Sequence, residues 1–149
     1  MSTREELPFA ATIKVRDTCL CLHLQRAARA VARRFDTAFR PLDLTNGQFS
    51  LLMSLNRPEP AAGIGSVATL LAMDRTTLTA ALKPLERRGL LTVTIDPADR
   101  RGRQLTLTPA GRRLVAEALP IWQCEHAAID REFGKSGPER LRADLRALS

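Results

Sequence analysis

The chain has 149 residues, with 23 Lys and Arg against 16 Asp and Glu, a formal net charge of +7. That length fits one domain, or one domain with an oligomerisation appendage, and 44% hydrophobic with 26% charged residues excludes a disordered chain. No apolar run reaches the ~20 residues of a membrane helix, and five Phe, one Trp and no Tyr argue against the stacking platforms that grip single-stranded nucleic acid.

Residues 1–12, with acids and no apolar stretch, are expected to form an N-terminal arm rather than a signal peptide. Residues 13–40 follow as one long helix. Leu20, Leu24, Ala27, Val31, Phe35 and Ala38 recur there at steps of three and four, which makes one apolar stripe. Pro41 ends it, since proline cannot continue the hydrogen-bond ladder. A second helix is expected from Thr45 to about Leu55. Thr45 and Gln48 have the spacing of a capping box, and Leu44 with Phe49 that of a hydrophobic staple. Residues 57–63 read as loop by composition.

Residues 66–72 form a short apolar helix, and after a tight turn at Met73 the side chain of Asp74 can cap another. Two short helices joined in this way make a helix-turn-helix. The second reaches Arg88 and stops at Gly89. Leu91, Val93 and Ile95 alternate with threonines, and Leu105 and Leu107 repeat the pattern beyond the polar loop 96–104. A hairpin after a helix-turn-helix is a winged helix. Thr108 and Pro109 open a further helix to about Phe133, with a kink expected at Pro120. A last helix, 138–148, puts Leu141, Leu145 and Leu148 on one face. So short a helix does not hold alone in water, so that face must dock on something.

The expected fold is therefore mainly α with a small β-hairpin wing. Residues 44–108 form a winged-helix DNA-binding domain, and 13–43 with 109–149 a discontinuous helical dimerisation domain. Charge supports the assignment. Residues 74–113 hold nine Lys and Arg against four acids, and residues 13–40 hold seven against two. Such blocks favour a polyanion as partner. The block at 13–40 lies outside the winged helix and is assigned no site.

Asp74-Arg-Thr-Thr-Leu-Thr, Leu85-Glu-Arg-Arg-Gly-Leu-Leu91, Asp96-Pro-Ala-Asp-Arg-Arg and Leu105-Thr-Leu-Thr-Pro-Ala-Gly111 together resemble the MarR family of bacterial transcriptional regulators. The resemblance implies a homodimer whose terminal helices interlock, each winged helix reading half of a pseudo-palindromic operator in double-stranded DNA. It also implies that Arg101 is the minor-groove arginine and Asp99 its structural partner.

Read from the residues, the recognition helix turns Leu78, Ala81, Leu82, Leu85 and Gly89 toward the core and Thr76, Thr77, Ala80, Lys83, Pro84, Arg87 and Arg88 away from it. Thr76 and Thr77 suit base edges or phosphates, Ala80 a thymine methyl, and Lys83 a guanine or a phosphate, with Arg87 on the same arc. Arg100, Arg101 and Arg103 crowd the wing, where the electronegative minor groove would accept them. Pairing with Asp96 and Asp99 is the alternative. A wing used only to bind protein is the alternative function, and it would not need three arginines together.

The cysteines bear on the signal. Cys19, Cys21 and His23 scatter around a helix, Cys124 lies on another, and no Cys-x-x-Cys exists, so no metal and no cofactor is expected. Three cysteines and no secretory signal point to a reducing cytoplasm. The spacing Cys21, Phe35, Thr45 is similar to the peroxide-sensing branch of the family, which has a tyrosine where Phe35 stands. That resemblance points to Cys21, placed at a helix–helix seam. Local charge from His23 and Arg26 points instead to Cys19. A small anionic or phenolic effector remains the other expectation. Gly134-Lys135-Ser136 follows a helix instead of a strand, so a phosphate loop and an enzyme are not expected.

Overall fold

A computed structural model describes residues 6–149. The first helix begins earlier than expected. α1 (Phe9–Thr18) starts behind Pro8, inside the stretch read as an arm, and buries no side chain. The single helix expected over 13–40 is in fact two. The break is at Cys19, whose ψ of 109° is extended, and α2 (Leu20–Phe39) starts after it. Asp17, Thr18 and Cys19 are all poor helix formers. Thr18 also turns its hydroxyl back to the carbonyl of Lys14 at 2.7 Å, a side-chain bond that competes with the ladder. The apolar stripe begins at Leu20, after the break, so its periodicity says nothing of residues 13–19.

Only the C-terminal end of that stripe is buried. Phe35 is enclosed, as is Phe39 beside the stripe, while Leu20 is 58% exposed and Val31 38%. Arg34 ties α2 to α6 (Pro109–Asp130) through Glu125 at 2.8 Å, and to the turn that follows α6 through Glu132. These carboxylates, Glu132 foremost, hold the guanidinium protonated beyond its ordinary range.

After a 3-10 turn at Arg40–Leu42, α3 (Asn46–Ser54) opens with the expected capping box. Gln48 N–H donates to Thr45 Oγ1 at 3.2 Å, and Thr45 N–H donates to Gln48 Oε1 at 3.1 Å. Leu44 and Phe49 are both buried beside it.

The sheet has three strands, not two. β1 (Ala62–Gly63), in the stretch read as loop, pairs antiparallel with β3 (Arg103–Leu107), which pairs in turn with β2 (Leu91–Ile95), giving the order β1-β3-β2. Ala62 faces Leu105 and Val93 faces it from the other side. A two-residue strand is too short to display alternation, so its pattern was not visible. α4 (Ile64–Leu70) follows β1 directly, two residues ahead of the expected start. The turn to α5 (Arg75–Arg87) places Ala72 in the left-handed region at φ 52°.

The core gathers Phe39, Leu51, Leu52, Leu78, Leu85, Leu91 and Leu105, all 2% exposed or less, so α2, α3, α5 and the sheet meet in one cluster. α6 runs through Pro120 and ends at Asp130 instead of near Phe133. α7 (Gly137–Ala147) buries nothing, and Leu141, Leu145 and Leu148 are 41%, 38% and 61% exposed.

Candidate nucleic-acid interface

α5 is held at both ends by its sequence. At the start, Asp74 Oδ1 accepts from Thr77 N–H at 2.8 Å and Oδ2 from the Thr77 hydroxyl at 2.7 Å. The hydroxyl, then the N–H, keep the Asp74 carboxyl below the usual carboxylate range. At the end, Gly89 takes φ +71°, a left-handed conformation that glycine adopts without strain. Leu78, Leu82 and Leu85 are buried between these caps.

The other side of α5 is free. Thr76, Thr77, Ala80, Lys83, Arg87 and Arg88 are exposed, while Pro84 is half-buried. The expected outward arc is therefore present, with two changes of role. Thr77 spends its hydroxyl proton on Asp74. Arg88 donates to main-chain carbonyls within the protein. Thr79 is exposed as well. The wheel places it about 60° from Thr76, so its hydroxyl belongs with this face and was missed.

In the wing, Asp96 and Asp99 do not neutralise the arginines. Asp96 Oδ1 accepts from Ala98 N–H at 2.9 Å, and Asp99 Oδ1 accepts from Arg101 N–H at 3.0 Å. The acids shape the loop, and among the described residues the Arg100 and Arg101 guanidiniums make no ion pair. Arg103 lies in β3 and donates to the carbonyls of Arg100 at 3.2 Å and Gly102 at 3.1 Å. It is a brace across the loop base as well as a charge.

Cys19, Cys21 and Cys124 are free thiols. The two candidate thiols of the first helical stretch differ in burial within the single chain. Cys21 is exposed and accepts from Gln25 Nε2 at 3.1 Å, whereas Cys19 at the helix break is half-buried. His23 Nδ1 sits 2.8 Å from the Cys19 carbonyl oxygen. Among the described residues no three His, Cys, Asp or Glu side chains gather as a metal site requires, and no helix is long and apolar enough to cross a membrane.

The MarR family profile matches residues 44–102, from the residue before the α3 cap to the end of the wing loop. The Mycobacterium tuberculosis transcriptional regulator MosR, in its structure with DNA, superposes with a TM-score of 0.80 at 33% identity, over 87% of this chain and 92% of MosR. This chain belongs to the MarR family. The transcriptional repressor CouR, bound to a DNA duplex, is similar at 30% identity with a TM-score of 0.79, over 97% of this chain and 99% of CouR. The transcriptional activatory protein BadR of Rhodopseudomonas palustris is 33% identical over 97 residues, 64% of this chain, and the match spans only 55% of BadR's length. The MarR relatives are thus transcription regulators, and the fold is their winged helix.

Proposed function

We propose that this MarR-family chain is a cytoplasmic transcriptional regulator, a repressor, that binds a pseudo-palindromic operator as a homodimer and has no enzymatic role. Residues 44–108 serve as the DNA-binding domain. Residues 13–43 and 109–149 serve as the dimerisation domain, and α1 belongs with the latter. The observation that carries the reading is the pair of unneutralised cationic surfaces on one winged helix. Thr76, Ala80, Lys83 and Arg87 form the open face of α5, and among the described residues Arg100 and Arg101 make no ion pair beyond it. In this reading Thr76, Ala80, Lys83 and Arg87 enter the major groove, and Thr77 donates its N-terminal position more than its hydroxyl. Arg100 and Arg101 reach the minor groove, with Arg103 behind them.

The homodimer is supported by where apolar surface is left. Leu7, Phe9, Val15, Leu20, Phe133 and the α7 leucines are exposed outside the winged helix, against Leu70 and Ile95 within it. A second copy interlocking the terminal helices would cover them.

The signal in this reading is a small anionic or phenolic effector or thiol oxidation. CouR from Rhodococcus jostii RHA1 has been crystallised with p-coumaroyl-CoA, an anionic phenolic thioester, which favours an effector of that chemistry. The redox reading is supported by Cys19 at the break between α1 and α2, where a change of bulk would shift both helices.

The test is selection of bound duplexes from a random pool by the purified protein. Enrichment of a pseudo-palindrome with half-sites about one helical turn apart is the expected result. Recovery of unenriched sequence would favour the protein-interaction wing instead.

A further inference from the structure

Arg88, the C-cap of α5, has its guanidinium committed inside the protein. Nη1 donates to the carbonyl of Asp43 at 2.6 Å, and Nη2 donates to that of Leu42 at 3.4 Å. These carbonyls stand at the end of the 3-10 turn that follows α2, and Asp43 there is left-handed at φ 49°. Carbonyls at a helix end lack partners within the helix and carry the negative end of its dipole, so a cation satisfies them. Arg88 thus joins the turn that follows α2 to the end of α5.

The same corner is fixed from its other side. Asp36, in the last turns of α2, accepts at Oδ1 from Asn46 N–H at 2.7 Å, at the first residue of α3. Among the described residues, no other side chain of α5 or its C-cap hydrogen-bonds to anything before Asp74. Among the described residues, one arginine therefore carries the side-chain hydrogen bonds between the recognition helix and the turn that ends the long helix of the dimerisation half.

We infer that Arg88 is a positioning residue for operator recognition, fixing α5 against α2 without touching DNA. The inference rests on the DNA-binding reading above. A dimer reads two half-sites only while its recognition helices keep a set separation and orientation. A side chain that locks α5 to α2 sets that geometry, and so sets the preference for operator over other duplexes. A phosphate contact would behave differently, acting on every duplex alike and through the salt slope.

The test compares wild type, Arg88→Met and Arg88→Lys on the selected operator and on a random duplex of equal length, each across a salt series, with circular dichroism reporting folding. Arg88→Met keeps the stem and removes the cation. Its operator-to-random affinity ratio is expected to fall on the order of tenfold, with random-duplex affinity and salt slope as in wild type. Arg88→Lys, which satisfies one carbonyl, should restore part of the ratio, and it carries the comparison if Arg88→Met does not fold. Equal losses on both duplexes with a slope shallower by about one would make Arg88 a phosphate contact and overturn the inference. So would an unchanged ratio in a folded variant. A wild type that does not discriminate the two duplexes would instead sink the DNA-binding reading, and this inference with it.

Discussion

Gly111, in the first turn of α6, lies so close to Leu90 that a β-carbon on it would fall 2.0 Å from the Leu90 carbonyl oxygen. The same oxygen accepts from Thr108 N–H at 3.1 Å, and the Thr108 hydroxyl donates to the Gly89 carbonyl at 2.6 Å. The end of the recognition helix and the start of α6 are thus joined backbone to backbone, with no room for a side chain between them. Gly111→Ala must push α6 off this contact, because backbone cannot yield as a flexible side chain does. It is expected to destabilise by about 2–3 kcal/mol or more. Chemical denaturation at fixed protein concentration checks this, and a loss below ~0.5 kcal/mol, the range of ordinary surface substitutions, would contradict it.

Asp74 supplies a pH signature. Its carboxyl is held below the usual range by the Thr77 hydroxyl and N–H. A depressed folded-state value means that its stabilisation is present above the unfolded value and is lost as pH falls through the folded one. The advantage of wild type over Asp74→Ala should be full near neutrality and shrink as pH drops below about 4. Denaturation of both proteins from pH 7 to pH 3 reads the difference. A constant difference would show that the cap acts without its charge.

The leucines of α7 carry the dimer prediction. Leu141 and Leu145 are a third or more exposed on a helix that buries nothing of its own. Leu141→Arg with Leu145→Arg should place charge in an apolar seam and convert the dimer to monomer or aggregate. Sedimentation at micromolar concentration checks it. A stable folded monomer in the wild type would remove the basis for the proposal.

The thiol reading is tested by titrating peroxide against DNA binding in wild type, Cys19→Ser and Cys21→Ser. One equivalent of peroxide oxidises a thiol to sulfenic acid and releases water. With Cys19 half-buried at the helix break and Cys21 exposed, loss of the response in Cys19→Ser is the expected outcome if release depends on packing. Equal release in all three proteins, or none in wild type, would leave the small effector as the signal.

The parts legible in the sequence are those fixed by local chemistry. The Thr45–Gln48 capping box, the Asp74 and Thr108 caps and the Gly89 stop are each signalled by residue type at a fixed offset, and each is present. The buried leucines of α5 follow from its period, and the two longer strands from theirs. What escaped depends on contacts or on very short segments. β1 exists because β3 offers Leu105 and Gln104 as partners. The break at Cys19 lies just ahead of the apolar stripe, which begins at Leu20, so the stripe carries no sign of it. On the interface, an outward arc showed which side chains leave the core but not which are already engaged. Arg88 and the Thr77 hydroxyl are spent on neighbours, while Asp96 and Asp99 serve the backbone instead of the wing arginines.

In the proposed complex, α5 reads bases while the wing grips the backbone and minor groove. The most direct measurement is the affinity of wild type, Lys83→Ala and Arg101→Ala for the selected operator and for operators changed one base pair at a time, over a range of salt. Lys83→Ala should lose about 1–3 kcal/mol, with preference relaxed at one base position in each half-site. Arg101→Ala should weaken binding on all sequences and lower the salt slope by about one. Unchanged affinity in both variants, on a wild type that binds the operator, would contradict the account.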